Sequence, residues 1–185
     1  MSSFLLYLQK LFFLMTAYVF DFDETLVKDK ARSYLYRDGV LVGSLSSEQY
    51  YHYKKQPNEF FDFFEFDYPD KIKANFGPVW QTFKRLYELN EPLFIVTARR
   101  PTAKQAIYEF VLRNGVNILY DNIYCIGAPS VYAADIPKKK EEVILRFIKP
   151  YYDEIIFYED NDLVIDHFKN KKWLTPILVS ELKNN

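Results

Sequence analysis

The chain has 185 residues, 49% of them hydrophobic and 26% charged, which suits a globular protein long enough to bury a core. Its 24 Lys+Arg against 25 Asp+Glu leave a net charge of -1, which excludes a broadly cationic nucleic-acid surface but not a local basic patch. Cys125 is the single cysteine and His52 and His167 the two histidines, so an intramolecular disulfide, a multi-cysteine zinc site and a three-histidine metal site are excluded. Any metal must be held mainly by oxygen, which points to a hard cation such as magnesium.

Phe4 to Phe20 is apolar, broken by Gln9, Lys10 and Thr16. No basic residue precedes it and no small-residue cleavage site follows, against a signal peptide, and its last residues read as a core strand instead of completing the ~20 residues of a membrane span. Three readings of residues 1–15 stand: an apolar extension forming a packed or dangling helix, a stretch upstream of a true start at Met15, or a segment touching a membrane. The rest, residues 16–185, reads as one domain, expected in the cytoplasm and without a membrane partner.

Elements follow in alternation. Ala17–Phe20 is a short buried strand ending in acid. Ser33–Val42 is a hairpin turning at Asp38-Gly39, a pair that supplies the left-handed turn. Ser46-Ser47-Glu48 starts a helix expected over Gln49–Lys55. Phe60–Tyr68 alternates aromatics with acids and reads as strand or loop. Pro78–Leu89 places Val79, Phe83, Leu86 and Leu89 on one helical face. Pro92–Thr97 is a strand, Thr102–Arg113 a helix closed by Asn114-Gly115, and Ile123–Ile126 a strand. Lys138–Ile148 is a helix stopped by Pro150, Ile155–Tyr158 a strand ending in acid, Asn161–Lys169 a helix and Pro176–Ser180 the last strand. This order predicts a Rossmann-like three-layer α/β/α sandwich with a mostly parallel central sheet. Such sheets bind ligands at the carboxyl ends of their strands.

The first strand discharges Asp21-Phe22-Asp23-Glu24-Thr25 at that edge. A carboxylate there can attack phosphorus and form an aspartyl phosphate. A second carboxylate two residues on can protonate the leaving oxygen and then activate water. The pentapeptide, led by Tyr18-Val19-Phe20 and followed by Leu26-Val27, matches a DxDxT pattern. It resembles the first motif of the haloacid dehalogenase-like hydrolases, mostly phosphatases and phosphotransferases.

The resemblance extends over roughly Thr16 to Ser180. Leu93–Arg99 is similar to the family's second motif, a strand ending in Thr or Ser, which implies that Thr97 bonds the transferring phosphoryl group. Thr25, Arg99 and Lys139 are the further candidates for binding phosphate; Arg99 is paired with Arg100, and either one faces phosphate, which an arginine fork suits, or solvates the turn. The third motif is a lysine near a helix start; the family's usual placement, three and four residues before two apolar helix positions, implies Lys140 among Lys138, Lys139 and Lys140, with Lys139 next. The fourth is acid after a strand, here Glu159-Asp160-Asn161. The resemblance then implies Asp21 as nucleophile, Asp23 as acid/base, Thr97 and Lys140 as catalytic partners, and Mg2+ held by Asp21, the backbone carbonyl of Asp23, and Asp160. Two departures stand out: Glu159 replaces the more usual Asp, and Val164 stands where relatives place Asn or Asp, with Asn161 a candidate substitute.

The stretch from Lys28 to about Asn75 resembles the small cap that relatives insert after the first strand. A small cap leaves a site open to larger phosphorylated substrates. Tyr34, Tyr36, Tyr50, Tyr51 and Tyr53 either stack on bases or pack the cap onto the body. Lys54, Lys55, Lys71 and Lys73 either guide an anion or are solvated. The expected activity is magnesium-dependent hydrolysis of a phosphomonoester in a phosphorylated small molecule or nucleotide. A nucleic-acid end-processing phosphatase acting on a polynucleotide 3'-phosphate, and a catalytically weak binding module of the same fold, are the alternatives.

Overall fold

The computed structural model describes residues 15–184 apart from 29, 47–48, 51–52, 69–71, 73–74 and 128–134. The apolar N-terminal segment, Ser47, Glu48, Tyr51, Lys71 and Lys73 therefore lie outside the described residues.

Five parallel strands form the body. They are β1 (Thr16–Phe20), β5 (Leu93–Thr97), β6 (Ile123–Cys125), β7 (Glu154–Glu159) and β8 (Thr175–Leu178), in the order β6-β5-β1-β7-β8. Their residues are mostly β-branched and aromatic, which suits a pleated surface covered on both faces. Alternation does the sorting. Ala17, Val19, Phe94, Val96, Ile155 and Phe157 join one core, whereas Phe20, Leu93 and Ile95 join another on the opposite face.

Helices α1 (Trp80–Glu88) and α2 (Lys104–Arg113) cover the second face with Trp80, Phe83, Ile107 and Phe110. Helix α3 (Ile136–Val143), running on through a π turn over Ile144–Ile148, and α4 (Asp162–Phe168) cover the first with Ile144, Ile148, Val164 and Phe168. The result is a three-layer, Rossmann-like α/β/α arrangement. Each large apolar side chain fully buried this way contributes about 1.5–3 kcal/mol.

Helix ends follow local chemistry. Val116 and Gly115 donate to the carbonyls of Val111 and Leu112, and Gly115 has φ 86°, so α2 closes on a left-handed glycine as Asn114-Gly115 predicts. The Asn161 side chain accepts from the Leu163 N–H and caps α4. Helix α3 begins two residues earlier than Lys138, because Pro137 is tolerated in a first turn.

Between β1 and α1 the chain forms a second, antiparallel sheet of β2 (Ser33–Arg37), β3 (Val40–Leu45) and β4 (Glu59–Asp62), in the order β3-β2-β4. Asp38 and Gly39 both have positive φ, 49° and 79°, the two-residue turn that suits a twisted hairpin. Ser46 and Gln49 exchange side-chain and backbone hydrogen bonds, a helix-start device, but the backbone is no longer helical at Tyr53–Gln56. The shorter helix has a physical reason: Gln56 N–H and the Tyr53 hydroxyl are both committed to the Glu59 carboxylate. Phe60–Tyr68 resolves into the end of β4 and a 3-10 turn over Phe64–Asp67. Tyr36 stacks on Phe60 at 4.9 Å and Tyr34 on Phe64 at 5.2 Å, while Tyr50 and Tyr53 meet Phe61 edge-on. These tyrosines thus have ring partners within the inserted segment. Among the described residues no helix is long and apolar enough to cross a membrane.

Candidate active site

Strand order reverses at β1, with β5 and β6 to one side and β7 and β8 to the other. The crevice of such a sheet lies at the carboxyl ends of the strands flanking that switch. Asp21 follows β1 there, Thr97 ends β5, and Glu159 ends β7.

Period-two alternation carries Asp21 and Glu159 onto the face that α3 covers, in step with Val19 and Phe157. Lys140 of α3 meets them. Its Nζ donates to Asp21 Oδ1 and Glu159 Oε2, each at 2.6 Å, and all three side chains are buried. Lys138 is exposed and Lys139 half-buried, so Lys140 is the lysine that this face turns inward.

Asp160 completes an acidic group. One carboxylate oxygen each from Asp21, Glu159 and Asp160 lies within 4.8 Å of the others. Thr25, fully buried, donates its hydroxyl to Asp160 Oδ1 at 3.3 Å. Burial pushes the Asp21 carboxyl up to about 8, opposed by Lys140 and reinforced by Glu159. It pushes Glu159 and Asp160 up to about 7, again opposed by Lys140. Among the described residues, the two buried carboxylates and the half-buried Asp160 share the Lys140 ammonium, so the group is short of positive charge. Hard oxygen donors with that deficit fit a cation such as Mg2+. The cluster thus includes Glu159, which the resemblance treats as a departure. Strand parity carried the signal: Glu159 shares its face with Phe157, toward α3.

Asp23 is turned elsewhere. Arg99 grips its carboxylate as a fork, with Nη2 to Oδ1 at 2.7 Å and Nε to Oδ2 at 2.9 Å. Arg99 Nη1 donates to the Phe66 carbonyl at 2.8 Å. These donors go to the protein itself, where the sequence offered Arg99 or Arg100 either to phosphate or to solvating the turn. Thr97 is fully buried and its Oγ1 accepts from the Arg99 N–H at 3.3 Å.

The loop after β1 is set by backbone contacts. Leu26 and Val27 both donate to the Phe22 carbonyl, and Glu24 has φ 56°. Gly77 donates to the Leu26 carbonyl at 2.7 Å. A Cβ on Gly77 would lie 2.2 Å from the Thr25 carbonyl oxygen, so only glycine fits against this loop. Nothing in the sequence marked Gly77, because the close approach joins segments about fifty residues apart. Val164 is buried in the apolar core with Phe157 and Phe168, and the Asn161 side chain is engaged as the α4 cap. Burial pushes the Cys125 thiol up to about 12, which disfavours the thiolate.

Family models, curated proteins and solved structures offer no match to this chain.

Proposed function

We propose that this protein is a haloacid dehalogenase-like phosphatase, hydrolysing a phosphomonoester through a phosphoryl group carried on Asp21. The observation that carries the reading is Lys140 between Asp21 and Glu159, with Asp160 beside them, at the switch point of a parallel sheet. Buried carboxylates with raised affinity for protons, gathered in such a crevice, mark a candidate site for chemistry.

In this reading Lys140 holds Asp21 Oδ1 and the other carboxylate oxygen attacks phosphorus in line. Asp23 donates a proton to the leaving oxygen, then takes one from the water that splits the aspartyl phosphate. Lys140 neutralises charge that would otherwise keep two anions apart. Thr97, at the end of β5, orients the phosphoryl oxygens. Asp21, Glu159 and Asp160, with the Asp23 backbone carbonyl, would hold Mg2+, which supplies further charge neutralisation when bound. The substrate class is a phosphorylated small molecule or nucleotide, and the location is the cytoplasm, in keeping with a chain that has one cysteine.

The test is hydrolysis of an aryl phosphate with and without Mg2+, wild type beside Asp21→Asn and Asp160→Ala. Turnover that needs Mg2+ is expected, lost in Asp21→Asn by a factor on the order of 10^4 or more. Asp160→Ala should raise the Mg2+ concentration needed for half-maximal rate. Undiminished turnover in Asp21→Asn would sink the mechanism.

A further inference from the structure

Arg99 is nearly sealed from solvent, its side chain 2% exposed, and its guanidinium carbon lies 4.9 and 5.0 Å from the ring centres of Phe22 and Phe66. A desolvated guanidinium must spend its donors on fixed acceptors. The acceptors named above come from different parts of the chain: Asp23 from the loop after β1, and the Phe66 carbonyl from the 3-10 turn of the inserted segment. The next residue of that turn, Asp67, is held separately at the rim. Arg100 Nη2 and Thr102 Oγ1 donate to its two carboxylate oxygens at 2.7 and 2.9 Å. Consecutive arginines after β5 therefore seat one turn of the insertion, and one of them also fixes the plane of the Asp23 carboxylate.

We propose that Arg99 is a positioning residue coupling the seat of the Phe64–Asp67 turn to the orientation of Asp23. The inserted segment then acts on the chemistry through Asp23 itself, in addition to whatever it touches on a substrate. The role given to Asp23 rests on the phosphatase reading; the coupling rests on the fork. A displaced turn withdraws the Phe66 carbonyl from Nη1, the guanidinium rotates, and the carboxylate plane turns with it. Lysine at 99 would keep the charge and lose the fork.

The experiment combines kinetics with the Arg99 Nε–H resonance in magnetic resonance spectra. Arg99→Lys should lower kcat about 100-fold with KM little changed, the cost of a misplaced catalytic group. Asp67→Ala, at the partly exposed rim, should lower kcat about fivefold, the scale of such an ion pair. In the Arg99→Lys background it should cause no further loss. The Nε–H signal should be slow to exchange in wild type, shifted in Asp67→Ala and lost in Asp23→Asn. Equal losses from Asp67→Ala in both backgrounds, or an unmoved Nε–H signal in that variant, would overturn the coupling. If Arg99→Lys does not fold, the signal in Asp67→Ala decides alone. If wild type hydrolyses no aryl phosphate while that signal still responds to Asp67→Ala, the phosphatase reading fails and the coupling stands.

Discussion

The body and the inserted segment are held together by different means. The body has apolar layers on both faces of a five-stranded sheet, and its buried charges gather at the strand ends, around Lys140 and at Arg99. The insertion has a thin sheet with Val40, Leu41, Val42 and Phe60 exposed. Its order comes from ring pairs and from two buried carboxylates. Glu59 accepts from Arg37, Tyr53 and Gln56, and Glu65 from Arg32 N–H and the Tyr34 hydroxyl. Burial of area fixes the first region, and satisfaction of a few polar hubs fixes the second. The difference teaches where each is fragile: the body at its charge-deficient cluster, the insertion at its glutamates.

The largest stability effect should come from Lys140→Met. It removes the cation that bridges Asp21 and Glu159, leaving buried carboxylates uncompensated, which costs about 3–5 kcal/mol. Chemical denaturation at pH 8 without metal measures it, and the cost should shrink at pH 5 as the carboxylates take up protons. An equal cost at both would show that Lys140 acts through packing. Gly77→Ala should follow, at about 1–3 kcal/mol, because the Thr25 carbonyl must move from the new Cβ. Turnover should fall with it, since the same loop carries Asp21 and Asp23; a variant as active and stable as wild type would contradict that close approach.

The two regions should also answer pH in opposite senses. Asp21, Glu159 and Asp160 have folded values above their ordinary ones, so the folded metal-free protein binds more protons than the unfolded chain between about pH 4 and 8. Body stability should therefore rise as pH falls through that window, and Mg2+ should stabilise more at pH 8 than at pH 5. Glu59 is the reverse case. The Gln56 N–H, then Arg37 and Tyr53, hold its carboxyl below the ordinary value against burial. Its contribution is complete above the ordinary glutamate value of about 4.3 and drains as pH falls through the lower folded one. Amide protection in β2 and β4 should drop there before that in β1 and β5. Simultaneous loss in both sheets would erase the distinction.

How legible each region was in the sequence follows from the same physics. The apolar strands of the body are buried on both faces, so Leu93–Val96 and Ile155–Phe157 read plainly as strands. Asp38-Gly39 fixes its turn through the positive φ that both residues accept. Phe60–Tyr68 stayed ambiguous because its acids alternate with aromatics, and nothing local says that Glu65 is buried. Its partners, Arg32 and Tyr34, lie some thirty residues upstream. The grip of Arg99 on Asp23 spans 76 residues and depends on how two loops approach, which periodicity does not encode. Lys140 was reached through the resemblance, which places its lysine ahead of two apolar helix positions, whereas Glu159 stood only as a departure from that pattern although its strand parity with Phe157 carried the signal.

The most direct test of the central claim is mass analysis of peptides after acid quench during aryl phosphate turnover. The account predicts a phosphoryl adduct on the peptide carrying Asp21, building to higher occupancy in Asp23→Asn, which lacks the base for the second step. Turnover with no adduct, or with an adduct on a different residue, would contradict it.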